Sequence, residues 1–256
     1  MSVIGKRFTD SGLESILAAS GVIGQSAVHG VMSGKHYNRA LRCHKIVMEA
    51  LFRLCWQAFE QHINDHPEMK MTLSDLDQLA LTISNLRDQL SKQSLWQLLS
   101  LPAFADLQEK ISLFVCGMKS PLSQLWLSYV QMVSILLQFI RASRTGNWYL
   151  HMTSVRRMLP WMVAYDRPNY SRYGCLYWCQ MLALEQDHPD VYQHLLDGEF
   201  CVQRSSSSTF SQVPVDQAIE QTINRHSKGK SGIIGYSRKL GALRTIGWRI
   251  TISGLM

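Results

Sequence analysis

The chain has 256 residues, 46% of them hydrophobic and 18% charged, with 16 Gly and 7 Pro. That is enough apolar mass for one large core or two small ones, and the composition argues for a mainly helical protein and against general disorder. The formal net charge of +7 is unevenly placed: all 19 acids lie at or before Glu220, while seven of the 26 cations follow it. Such an end either holds phosphates by Coulomb attraction and counterion release or is a solvated tail.

In chain order, TDSGLESILAAS at 9–20 predicts a short helix, with Thr9 or Asp10 as its cap. The glycine-punctuated GVIGQSAVHGVMSG at 21–34 reads as irregular chain or a brief helical turn. A long helix follows over about 35–63, its apolar face running Tyr37, Leu41, Met48, Leu51, Cys55, Phe59 and Ile63. After the connector NDHPEMKMT, Leu76, Leu79, Ile83, Leu86 and Leu90 mark an amphipathic helix over about 74–92, with Ser74 as N-cap.

Residues 94–118 hold one or two helices broken near Pro102. PLSQLWLSYVQMVSILLQFI at 121–140 is long and apolar enough to resemble a membrane span. However, Gln124, Ser128, Gln131 and Gln138 form one polar stripe, with Ser134 beside it. Lipid would leave those groups unpaired, so the expectation is a core helix with one wet face and no membrane partner.

The next helix covers 147–165, with Pro160 expected to kink or end it, and further helices follow at 169–186 and 189–198. EFCVQR, opening at Glu199, is the best strand candidate, and after a serine run Pro214 fits the first turn of a helix. The six cysteines lack paired spacing and fall mostly in apolar helical stretches, which suggests a reducing intracellular compartment. The fold class expected is mainly α: a helical bundle with a small α/β remnant near the C-terminus. Its segments are 1–34, a helical domain 35–198, a strand-helix segment 199–241 with a basic Gly loop, and a divergent tail 242–256.

Four features could carry chemistry. Asp216 and Glu220 share one helical face and could help hold Mg²⁺ or Mn²⁺ with a distant carboxylate such as Asp166; they are equally an ordinary solvent-facing pair. The nine histidines lack the spacings of four-coordinate zinc sites, and Pro67 argues against His62 and His66 sharing a helical face. Cys43 and His44 are chain neighbours on different helix faces, and no G-x-S-x-G elbow is present. Arg39 and Arg42, Arg172 within NYSRY, and the C-terminal Arg225, Lys228, Lys230, Arg238 and Lys239 are candidate nucleic-acid contacts, with tyrosines near the first three for stacking.

Several phrases occur together in order: SGKHYNRALRCHKIVMEAL, GNWYLHMTSVRRMLPWMVAYDRPNYSRY, HPDVYQHLLDGEFCVQRS and FSQVPVDQAIEQTIN. Over about residues 3–241 they resemble the C-terminal portion of a transposable-element-like protein family abundant in marine animal genomes. The resemblance implies a DDE-type, RNase H-like transposase core interrupted by a helical insertion, using carboxylates and two divalent ions. Its last carboxylate would fall on Glu220, with Asp216 competing. The strands expected to hold the first acids are absent from this sequence, and the ending ALRTIGWRITISGLM departs from the family's usual continuation.

The resulting expectation is a transposase-derived, catalytically silent module. It needs no cofactor alone, and Mg²⁺ or Mn²⁺ only with a full core. DNA is its expected partner, with a nuclear location following from that. The alternatives are a helical protein-interaction module, self-associating or covered by a partner, and an active metal-dependent nuclease.

Overall fold

The computed structural model describes residues 4, 8, 11–33, 37–88, 97–203, 210–215 and 218. They are mainly helical, with one two-stranded antiparallel sheet near the C-terminal end. The chain divides into two compact units, one up to Leu136 and one from Leu137.

The first unit holds α1 (Leu13–Ala19), α2 (Gln25–Met32), α3 (Tyr37–Asp65), α4 (Leu73–Asp88), α5 (Pro102–Gly117) and the start of α6 (Pro121–Thr145). Of the two readings of 21–34, the helical one holds over Gln25–Met32, which is longer than a brief turn. Between its glycines, Val28, Val31 and Met32 sit at i, i+3 and i+4 and are all buried. Tertiary burial of that short stripe outweighs the low helix propensity of the glycines around it.

On α3 the expected apolar face is right from Met48 onward but not at the start. The first turns bury Ala40, Cys43 and His44, while Tyr37 is exposed. The cap of α4 is Thr72 rather than Ser74: its hydroxyl accepts from the Asp75 N–H at 3.2 Å and donates to the Asp75 carboxylate at 2.6 Å. This is a variant of the capping box. Of the expected α4 stripe, Leu90 lies outside the described residues; among the rest Leu79 alone is buried, and Leu76 and Ile83 are exposed.

Helix α6 is, among the described residues, the one long and apolar enough to cross a membrane. Its Tyr129 and Val133 are completely buried in the first unit. Its polar stripe has local partners as well. Gln124 donates to Met118 O, Ser128 donates to Gln124 O, and Gln138 accepts from Arg157.

The second unit holds the last turns of α6, then α7 (Trp148–Ala164), α8 (Pro168–Asp187), α9 (Pro189–Leu196), β1 (Cys201–Gln203) and β2 (Gln212–Pro214). Helix α7 does not end at Pro160. That residue is exposed, so the helical bond it removes is lost on a wet face. Helix α7 is capped at its start by the Asn147 side chain, which accepts from the Leu150 N–H at 2.8 Å.

The strand expected at EFCVQR is β1. Its partner β2 was not expected: Pro214, read as a first helical turn, is the last residue of that strand. The register pairs Cys201 with Pro214, Val202 with Val213 and Gln203 with Gln212. Cys201 and Val213 are both buried, on opposite faces of this short ladder.

Candidate interaction surface

In the first unit α3, α5 and α6 leave an apolar cleft of about 630 Å³ between them. Phe52, Cys55 and Phe59 line it from α3, Ile111 and Val115 from α5, and Trp126 from α6. Among the described residues the lining has no charged side chain; Ser123 and Gln131 are its polar members. Along α3 the cleft runs from Leu51 to Phe59, about 12 Å at the helical rise of ~1.5 Å per residue.

The apolar residues at this site fall into two groups. Phe59 is 1% exposed and holds α3 against Phe114 of α5, with ring centres 5.5 Å apart. Phe52, Leu54, Trp56 and Leu122 stay open to solvent, at 51%, 61%, 45% and 64% exposure. Trp56 is braced by its indole N–H, which donates to Glu60 one turn on. Large apolar side chains gathered along one cleft, unlike single scattered ones, are characteristic of binding surfaces.

Behind the cleft lies a buried polar pair. His44 Nδ1 and the Tyr129 hydroxyl share a hydrogen bond of 2.7 Å, and both residues are essentially without solvent exposure. Phe8 packs on Tyr129 edge to face, with ring centres 5.0 Å apart. Burial lowers the His44 pKa to about 4 and raises that of Tyr129, so both are neutral near pH 7. His44 Nε2 is buried without a hydrogen-bond partner among the described residues. This pair links α3 to α6 away from solvent.

A second buried histidine organises the other unit. His151 stacks on Trp148 (5.3 Å, 11°) and meets Phe139 and Phe200. Its Nε2 lies 3.1 Å from the Tyr177 hydroxyl, and burial lowers its pKa.

The structure scatters the residues singled out in the sequence. Arg39 and Arg42 are exposed on the first turns of α3, with Lys45 also exposed one turn on, and none is ion-paired among the described residues. Arg172 is exposed on α8 in the other unit. Asp166 is a helix terminator: at φ 49 its N–H returns to Val163 O at 3.1 Å and the Arg167 N–H to Met162 O at 2.9 Å. That is a Schellman end with Asp in the position glycine usually takes.

Asp216, Glu220, Arg225, Lys228, Lys230, Arg238 and Lys239 lie outside the described residues, as do the α1 cap candidates Thr9 and Asp10. Among the described residues no group of three or more His, Cys, Asp or Glu is placed to hold a metal ion.

A family model, Domain of unknown function (DUF8702), matches residues 1–250. The chain belongs to this family. No curated protein and no solved structure matches it.

Two further features of the chain bear on binding. From Ile111 to Tyr165 the chain carries Lys119, Arg141, Arg144, Arg156 and Arg157 and no acid, a charge asymmetry visible by simple counting. The cleft had a weaker signal: apolar residues on α3 outside its core stripe, such as Phe52, Leu54 and Trp56, which a fully solvated face would not need.

Proposed function

We propose that the chain is a helical interaction module whose apolar cleft receives the apolar face of a partner's amphipathic helix. The uncharged, elongated cleft of α3, α5 and α6 supports this reading above any other observation. A lining without charge matches a partner segment presenting only aliphatic or aromatic side chains. A run of about 12 Å accommodates anchors at i, i+3 or i+4, and i+7 of a helix, the helix-in-groove mode.

The test is fluorescence anisotropy of a labelled amphipathic peptide with leucines at those positions. Binding that weakens at least about tenfold in Phe52→Asp and Leu122→Asp, with the fold intact, supports the module. Equal binding by the parent and both variants, or none by the parent, would sink it.

A second reading, a transposase-derived module that associates with DNA in the nucleus, is favoured by the exposed cations Arg39, Arg42 and Lys45 on α3, which have no ion-pair partner among the described residues. The family resemblance and the basic C-terminal sequence add to it. Electrophoretic shifts of duplex DNA at 50 and 200 mM salt decide it: phosphate binding must fall steeply between those concentrations, by roughly a hundredfold or more for several contacts.

A further inference from the structure

The C-terminal end of α3 carries a histidine pair that the cleft does not explain, His62 in its last turn and His66 just past it. His62 and His66 are four residues apart, and the His66 N–H closes the turn onto His62 O at 3.0 Å. As Pro67 leads one to expect, His66 itself has left helical geometry (φ −125, ψ 78), yet the two rings stay together. Their ring centres lie 4.3 Å apart. Two imidazoles this close can share one metal ion, as the i, i+4 histidines of metallohydrolase helices do, although here the second ring lies just past the helix end.

Each ring is held by a different neighbour. His62 is half-buried and packs against Phe114 at 5.1 Å. His66 is oriented by Glu68, whose Oε1 lies 3.1 Å from His66 Nδ1. With Nδ1–H donating to Glu68, the lone pair of His66 Nε2 is left for a ligand. A carboxylate behind a ligating histidine in this way fixes the tautomer and raises the basicity of the other nitrogen.

We propose that His62 and His66 form a two-imidazole site for a late first-row divalent ion such as Zn²⁺, Ni²⁺ or Cu²⁺, with Glu68 as the positioning residue. Water completes the coordination, since no third His, Cys, Asp or Glu among the described residues converges there. Nitrogen donors select these ions over Mg²⁺ and Ca²⁺, which require oxygen.

The experiment is isothermal titration of the untagged full chain with ZnCl₂ and NiCl₂, with MgCl₂ as control. One equivalent of Zn²⁺ or Ni²⁺ should bind, and Mg²⁺ should not. His66→Ala, an exposed position, and His62→Gln should each abolish that equivalent while circular dichroism stays unchanged. Glu68→Gln should weaken it about tenfold with the metal-free melting temperature unaltered. Absence of binding by the parent, or binding that survives both histidine substitutions, overturns the proposal.

Discussion

Gly146 and Gly198 meet backbone to backbone. Gly146 ends α6 and Gly198 ends α9, both with left-handed φ, at 64 and 87. A Cβ on Gly198 would lie 3.0 Å from Gly146 O, and one on Gly146 would run into the Gln212 side chain and reach 3.2 Å from Gly198 Cα. Two helix ends and β2 therefore converge on a spot with no room for a side chain. Either glycine to alanine should destabilise the second unit by about 2–3 kcal/mol, combining left-handed strain with the clash. Gly21→Ala, with φ 67 but open space around it, should cost only about 1 kcal/mol. Thermal melts of the three variants check the ranking; equal losses would show that the close approach contributes nothing.

The His44–Tyr129 pair predicts acid sensitivity in the first unit. Burial lowers the folded pKa of His44 to about 4, against an ordinary value near 6.5. Between those values the unfolded chain binds the extra proton, so stability is full above about pH 6.5 and declines as pH falls toward 4. The loss over that window is about 3 kcal/mol. Urea titrations at pH 7.5 and 4.5 should reveal it, and a His44→Gln variant should flatten the dependence.

Tyr129→Phe tests the same contact without changing the ring that packs against Phe8 and Trp126. It strips His44 of its one hydrogen-bond partner among the described residues, where Nε2 is already unmatched. A loss of about 1–3 kcal/mol is expected at neutral pH. Unchanged stability would mean that the imidazole is satisfied in some other way.

The cleft separates structural from exposed aromatics. Phe59→Ala removes a buried ring and should cost about 3–5 kcal/mol. Phe52→Ser, at a residue more than half exposed, should change stability by less than about 0.5 kcal/mol. Chemical denaturation of both variants would reveal whether Phe52 is kept for stability or is free to meet a partner.

Asp166 should tolerate glycine better than any other replacement. Its φ of 49 favours Gly, so Asp166→Gly should leave stability unchanged or raise it by up to about 1 kcal/mol. Asp166→Val should lower it by about 1–2 kcal/mol, since a β-branched residue resists left-handed backbone. A metal-binding role would give a different result: Mn²⁺ would stabilise the parent and not the glycine variant.

Apolar periodicity and turn residues by themselves determined most helices of this chain. The repeats from Met48 to Ile63, the polar stripe of α6, Pro at the first turns of α5, α8 and α9, and the β-favouring CVQ run all specify local conformation through nearest neighbours in sequence. Tertiary structure decided what periodicity cannot encode. Helix α2 exists because Val28, Val31 and Met32 find a core to bury into, and β2 because Val213 finds Val202 opposite it. His44 became a core residue only when Tyr129, 85 positions away, supplied a hydroxyl. The exposure of Phe52 and Trp56 is likewise set by where α5 and α6 stop covering α3. A helical stripe records which residues are apolar; the distance between packed helices settles which of them remain open to a partner.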